Sequence, residues 1–463
     1  MNQFNHDSID VQPITQAPTL PLPPATHESA LEPANDDGSA ITPVERELPP
    51  EVEGYLAVTT FQRIRSKGDT FEEYIAGYWK PIDDNALKND VAKYFAGAAT
   101  ASKISALIKL LRSFQYESDV TPSPLHICMK NGTYNTETGG LEQHNPDHHL
   151  SNKLGFQYLP EALCPTWHAS LAQMFEGETG GAMIGLLQEM FGYCLVQQNH
   201  LDKCFIFLGN GGNGKSVVLH ILEQLLGRDN VLHAMIDQLK RSYVRAELEG
   251  KLANITHEMS PKSGQFDSNF KGIVSGEPFQ ADRKFKDSRT IHSHAKLVMA
   301  TNNLPALKDF TNGIRRRVVI IPFERTFSLA EQDPQLIEKL IAEIEGIFVW
   351  ALTGLARLRQ RGKFDLPAAS EEVLAAYMEE SDPVGLFVTQ ALETDPTPRG
   401  KMKPAQIHEY YSAWCSAFGF KKENTIVVGK RLEKAGYLSM HSSGSKYWRV
   451  KPKAHNGFAW PAQ

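Results

Sequence analysis

Gly209-Asn210-Gly211-Gly212-Asn213-Gly214-Lys215-Ser216 is the stretch whose reading decides the fold. It satisfies the G-x-x-x-x-G-K-[ST] phosphate-loop pattern at every position. Phe205-Ile206-Phe207-Leu208 leads in as an apolar strand, and Val217 to Leu226 follows as an amphipathic helix that Gly227 ends. Glycines let backbone N–H groups curl around a phosphate, and the helix N-terminus adds partial positive charge. All eight residues are therefore expected to bind a nucleoside triphosphate, with ATP and Mg2+ as the cofactors. Lys215 would reach the β- and γ-phosphates, and the Ser216 hydroxyl would hold the metal.

A phosphate-loop enzyme needs an acid at the end of a neighbouring strand to order the metal or the attacking water. Leu252 to Thr256 reads as a strand that runs through His257 to Glu258. Glu258 is the candidate acid and a second candidate metal ligand. Position 257 is His where many such enzymes carry another acid, so one carboxylate would do both jobs or the metal would rest on Ser216 and water; His257 is read as a structural side chain. Leu297–Thr301 is a further strand with Asn302 at its tip. That amide either touches the γ-phosphate or attacking water, or caps a turn before Pro305. Arg315-Arg316-Arg317 precedes the strand Val318–Ile321. Arg316 or Arg317 is the candidate finger for transition-state charge, supplied by a neighbouring subunit. A surface cluster or contacts to DNA phosphates are the alternatives. Apolar strands alternating with helical stretches from 204 to 323 predict an α/β core with a mainly parallel sheet.

The chain has 463 residues, enough for about three domains. Residues 1–52 hold nine of the 27 prolines, and residues 1–50 carry eight acids against one base. This composition predicts a disordered acidic tail, with partner binding as an alternative. Residues 53–117 read as helical, because Phe71, Tyr74, Ile75, Tyr78 and Trp79 recur at helix spacing. Turn signals at Asn131-Gly132 and Gly139-Gly140 predict a small β unit within 125–160. The expected units are thus a helical and small-β domain at 53–195, the ATPase core at 196–330, a helical linker or lid at 331–380, and a basic module at 381–463. Asp147, His148 and His149 are read as a surface loop rather than a metal site. The five cysteines show no C-x-x-C spacing, so neither a zinc ribbon nor a disulfide framework is expected. No run of 18 apolar residues and no secretory pattern occur, so the expectation is a cytoplasmic protein, in a bacterial host, without a membrane partner.

The motifs in order are GNGGNGKS, ITHE, FKGIVSGEPFQADRKFK, KLVMATNNLP and NGIRRRVVIIPF. As a set they resemble the superfamily-3 helicases of the phage/plasmid primase family, related to poxvirus-type primase–helicases. Lys130-Asn131-Gly132, Cys164-Pro165-Thr166-Trp167 and Gln188 to Tyr193 resemble the small α+β domain that precedes the helicase there. The resemblance covers roughly residues 120–325. It implies a ring-shaped, hexameric AAA+ motor moving 3′ to 5′ on single-stranded DNA. Within it Glu258 matches the acidic role, Asn302 the sensor and Arg317 the finger. Phe270 to Lys286 matches an additional family motif. Phe279–Phe285 and Arg289–Lys296 read as two strands with a turn near Lys286-Asp287-Ser288, so Lys271, Arg283, Lys284, Lys286 and Arg289 are the candidate DNA contacts of a channel hairpin. A solvated charged hairpin is the alternative. The 65 or so residues before the β unit are too few for a primase domain of ordinary size. No primer synthesis is expected from this chain, and a separate primase or polymerase is a candidate partner.

Residues 381–463 carry twelve Lys/Arg against six Asp/Glu. Ile407 to Phe418 reads as an amphipathic helix, Thr425 to Ala435 as a second, and Ser442-Ser443-Gly444-Ser445 as a hairpin turn. The order predicts a winged helix with Lys430, Arg431 and Lys434 facing duplex or origin DNA. A protein-binding winged helix is the alternative. An ATP-dependent DNA helicase in replication of a phage, prophage or plasmid-like element is the first expectation. An origin-binding initiator ATPase with little translocation, or a DNA-triggered AAA+ regulator or defence ATPase, would share these motifs.

Overall fold

The computed structural model describes residues 48–118, 120–258, 268–283, 286–304, 312–380, 382–395, 397, 401–442 and 444–453. The expected acidic tail lies almost wholly outside these residues.

The N-terminal part runs α1 (Pro50–Val58), β1 (Arg63–Lys67), β2 (Thr70–Ile75), β3 (Tyr78–Pro81), α2 (Asp84–Tyr94) and α3 (Ala101–Phe114). The expectation of continuous helix over 53–117 is therefore corrected: residues 63–81 form a three-stranded antiparallel sheet. The reason is local. Ile75 pairs with Tyr78 across a two-residue loop in which Ala76 and Gly77 both have positive φ. That loop geometry matches strand twist and forbids helix. The aromatic spacing that imitates a helix is divided between two faces and two strands. Arg65 lies buried beneath this sheet, bonded to Glu72 at 2.8 Å and stacked 4.0 Å from the centre of the Trp79 ring.

The small β unit follows as expected, with β4 (His126–Met129), β5 (Gly132–Asn135) and β6 (Gly140–Glu142), then α4 (Pro165–Met174) and α5 (Gly180–Leu195). The central part continues β7 (Cys204–Leu208), α6 (Lys215–Leu226), β8 (Val231–Leu232), α7 (Ser242–Ala246), β9 (Ala253–Thr256), α8 (Ser268–Val274), β10 (Phe279–Arg283), β11 (Lys286–Ile291), β12 (Lys296–Thr301), α9 (Asn312–Arg315) and β13 (Val318–Pro322). The four strands expected from apolar runs are all present. With the short β8 they form one five-stranded parallel sheet in the order β13-β7-β12-β9-β8.

Both faces of this sheet are covered. Phe205 and Phe207 of β7, Val298 and Ala300 of β12, and Val319 and Ile321 of β13 face one apolar cluster. Cys204 and Ile206, Leu297 and Met299, and Val318 and Ile320 face the other. The period of two along each strand places successive side chains on opposite faces. Burial of both sets explains why these strands read as continuous apolar runs.

α10 (Leu336–Ile341), α11 (Ile344–Arg361) and α12 (Ala368–Glu380) come next, so the stretch expected to be helical at 331–380 holds three helices, with a break near Ala342. α11 packs on α5 at close range; a Cβ added at Gly354 would lie 2.3 Å from the Gln188 carbonyl oxygen. Leu374 and Tyr377 of α12 enter the second cluster, which makes this segment part of the core rather than a separate lid. The last unit contains α13 (Pro383–Leu386), β14 (Leu392–Thr394), α14 (Pro404–Phe418), α15 (Thr425–Lys434), β15 (Ser439–Ser442), β16 (Ser445–Trp448) and β17 (Val450–Pro452) around its own apolar cluster. All five cysteines are buried free thiols. Among the described residues no helix is long and apolar enough to cross a membrane.

Candidate functional site

β7 ends at Leu208 and releases the chain into residues 209–214, where Gly211, Gly212 and Gly214 all have positive φ. Gly209 admits no side chain: a Cβ there would lie 2.4 Å from the Phe323 carbonyl oxygen. The Asn213 amide donates to that same oxygen at 3.0 Å, so the loop is clasped to the exit of β13. The Lys215 ammonium is folded into the loop. It donates to the Gly209 carbonyl at 2.6 Å and to the Asn213 side-chain oxygen at 2.9 Å, with the Asn302 oxygen at 3.5 Å. Burial pushes its pKa below the ordinary lysine value. Ser216 is exposed on the first turn of α6, and Asn210 is exposed within the loop.

These residues fit a triphosphate. The cradle is one that side chains would fill, its lysine is buried within it, and a hydroxyl and a helix start face outward beside it. β12 lies between β7 and β9, so its tip residue Asn302 meets the phosphate-loop lysine directly. Glu258 follows the end of β9 and is exposed at the same edge of the sheet. Three strand ends thus present an ammonium, an amide and a carboxylate along one edge.

The arginines sit at the other edge. β13 runs parallel to β7, with Val318 level with Cys204 and Pro322 level with Leu208. Arg315 to Arg317 precede β13 and are level with the start of β7, while the phosphate loop follows its end. A five-residue strand spans roughly 16 Å, so the triplet lies about that far from its own loop. Arg317, the expected finger, is only 5% exposed. Its guanidinium donates twice to the Ser275 hydroxyl, at 2.7 and 3.0 Å, and once to the Gly313 carbonyl at 2.9 Å. It is committed to its own chain, which corrects that expectation. Arg315 and Arg316 are exposed.

The β10–β11 hairpin forms, with a correction of its turn. Arg283 pairs with Lys286, so Lys286, Asp287 and Ser288 belong to β11. Lys284 lies outside the described residues. Arg289 does not face out: it is ion-paired to Glu249 and to Asp69 at 3.4 Å, joining the hairpin to the β1–β2 turn. Lys271 on α8 is half-buried. In the last unit Lys430 and Lys434 are exposed on α15, whereas Arg431 is ion-paired to Asp382 and leaves the expected DNA-facing set.

Sequence reasoning missed two arrangements. Asn213 acts as a clasp as well as a loop residue, which its position inside the motif concealed. His257, read as a structural side chain, is exposed and lies near Glu223 and His233, two residues with no spacing signal to connect them.

Residues 45–176 match the family model described as D5 N terminal like, and residues 207–317 match a family of unknown function, DUF5906. "Putative helicase 121R" of Invertebrate iridescent virus 3 is 26% identical over 255 residues, covering 50% of this chain and 26% of that protein. "Putative helicase L207/L206" of Acanthamoeba polyphaga mimivirus is 22% identical over 297 residues, covering 60% of this chain and 28% of that protein. The chain therefore spans about a quarter of the length of these relatives. The solved apo structure of the NrS-1 C-terminal region (305–718) aligns over 84% of this chain and 95% of that chain, at 12% identity and a TM-score of 0.49. A D5 N-terminal-like segment ahead of the phosphate loop, and viral relatives bearing the helicase name, support the resemblance of this chain to a phage and viral primase–helicase family.

Proposed function

We propose that this chain is an ATP-driven DNA helicase of the superfamily-3, AAA+ type, serving replication of a phage, prophage or plasmid-like element. The observation that carries the reading is the division of chemistry between the two edges of the parallel sheet. Lys215, Asn302 and Glu258 gather at one edge, and the exposed arginines stand at the other. Such a chain hydrolyses a nucleotide fully only when a neighbouring copy brings its arginine, which is why the reading includes a ring, a hexamer by family resemblance.

ATP is the proposed substrate. Lys215 leaves its internal acceptors for the β- and γ-phosphates, and backbone N–H groups of 211–216 hold the phosphate oxygens. Ser216 and Glu258 would hold Mg2+, which when bound neutralises charge on the phosphates. Glu258 also orients the attacking water, and Asn302 reads the γ-phosphate position. Arg316, now the preferred finger, stabilises the charge that builds in the transition state. Lys271, Arg283, Lys284 and Lys286 are the proposed contacts to single-stranded DNA in the channel, moving 3′ to 5′. The last unit is proposed as a winged helix that meets duplex DNA through Lys430 and Lys434.

The test is unwinding of a forked duplex with ATP and Mg2+, with Lys215→Ala and Glu258→Gln as controls. Unwinding by the wild type that both variants lack is the expected result. DNA-stimulated hydrolysis without unwinding would replace the helicase by an initiator. Hydrolysis that persists in Lys215→Ala would refute the site itself.

A further inference from the structure

We propose that Glu223, His233 and His257 form a binding site for one divalent transition-metal ion of the zinc class, beside the nucleotide site and distinct from its Mg2+. The three residues come from three elements of the core. Glu223 stands on α6, the helix that Lys215 begins; His233 follows β8; His257 follows β9, one residue before Glu258.

The distances are those of an ion's ligands. The Nε2 atom of His233 lies 3.4 Å from one Glu223 carboxylate oxygen, and Nε2 of His257 lies 3.9 Å from the other. The three ligand atoms all lie within 4.8 Å of one another. A tetrahedral zinc ion with bonds of 2.0–2.1 Å sets its ligand atoms about 3.3–3.4 Å apart. A direct charge-assisted hydrogen bond would draw them to about 2.7–2.9 Å. The observed gaps match the first spacing better than the second. The ring centres of His233 and His257 are 6.0 Å apart with 27° between planes, and two imidazoles on one tetrahedral ion would bring them to about 5 Å.

The proton on His233 supports the same reading. Its Nδ1 lies 3.0 Å from the Ile255 carbonyl oxygen, which accepts only from an N–H. That leaves Nε2 as the nitrogen facing the Glu223 carboxylate, where either a shared proton or a metal ion can sit between the two. A histidine whose outer nitrogen is tied to a backbone carbonyl is the arrangement that orients metal-binding imidazoles. Two nitrogens and a carboxylate suit zinc, cobalt or nickel rather than Mg2+ or Ca2+, which take oxygen ligands. His233 and His257 are nearly half exposed, which leaves a further coordination position to water. Arg228 approaches Glu223 at 3.9 Å from an exposed, long side chain and can swing clear.

A second cluster lacks this geometry. The rings of His126 and His148 stack at 3.7 Å with 15° between planes, so their in-plane lone pairs cannot converge on one ion.

An ion held by these three residues would pin α6 to the end of β9 and so fix the residue next to Glu258. The experiment titrates the full chain, nucleotide-free, with Zn2+ against a chromophoric chelator, and with Co2+ read by its visible absorption. One equivalent per chain is expected, with the intense bands of a four- or five-coordinate cobalt ion. His233→Ala and Glu223→Gln are expected to weaken binding about tenfold or more and to abolish the bands. His126→Ala should leave both unchanged. Thermal melting of each variant checks that it folds, and His257→Asn stands in if one does not. No stoichiometric binding by the wild type, binding unaltered in His233→Ala, or binding lost in His126→Ala would overturn the proposal.

Discussion

Replacing Arg316 and Arg317 one at a time separates a group proposed to act on a neighbour's nucleotide from one that holds its own chain together. In Arg317→Ala, the Gly313 carbonyl and the Ser275 hydroxyl lose their donors in a part-buried setting. Each stranded group costs about 1–3 kcal/mol, and the serine hydroxyl can rotate to recover part, so the sum is about 2–4 kcal/mol. For a unit of this size that lowers the melting temperature by roughly 5–15 °C. Arg316 is exposed, so Arg316→Ala should change stability by no more than about 0.5 kcal/mol. Its cost falls on hydrolysis, by about 10³-fold or more if it is the finger. The assays are calorimetry and DNA-stimulated ATP hydrolysis on both variants. Mixing is the decisive arm. Arg316→Ala carries an intact phosphate loop and Lys215→Ala an intact arginine, so two inactive proteins should regain activity together. The reasoning is refuted if Arg316→Ala hydrolyses ATP within tenfold of wild type, if mixing restores nothing, or if Arg317→Ala melts like wild type.

Two further outcomes are expected. Gly354→Ala drives a methyl group to 2.3 Å from the Gln188 carbonyl oxygen and should destabilise the α5–α11 contact by about 1–3 kcal/mol, whereas Gly181→Ala meets nothing within 4 Å and should be near neutral; calorimetry of the pair checks this. Lys296 is fully buried, and burial lowers its pKa to about 7. The unfolded chain then holds more protons than the folded one between about pH 7 and pH 10, so stability should rise with pH through that window. Lys296→Met should flatten the rise, measured as the difference between wild-type and variant denaturation midpoints at pH 6, 8 and 9.5; parallel pH profiles would refute it.

The central sheet was legible because its strands are buried on both faces. Phe205 and Ile206 point into opposite clusters, and such strands advertise themselves as unbroken apolar runs. The phosphate loop was legible because few residue types tolerate its backbone. The β1–β3 sheet was not. Its aromatic residues happen to repeat at helix spacing, and the evidence against helix lay in the conformations of Ala76 and Gly77. Charge was the least readable property. Arg289, Arg317 and Arg431 look like ligands for phosphate in the sequence, yet Glu249, Ser275 and Asp382 engage them from positions 40, 42 and 49 residues away. Which basic residues remain outward depends on partners that folding brings in. The Glu223, His233 and His257 cluster was unreadable for the same reason.

The placement of the arginines at the far end of β13 has a consequence for symmetry. A contact that joins the loop edge of one copy to the arginine edge of the next cannot be two-fold, because the two patches differ. Copies related by such a contact repeat by a fixed rotation, closing into a circle when that rotation divides a full turn and extending into an open helical filament when it does not. The number of copies is then set by an angle at the flank bearing α9 and the start of β13, remote from the phosphate loop. Substitutions along that flank would change the count, or open the circle, while every group that touches the nucleotide stayed as it was.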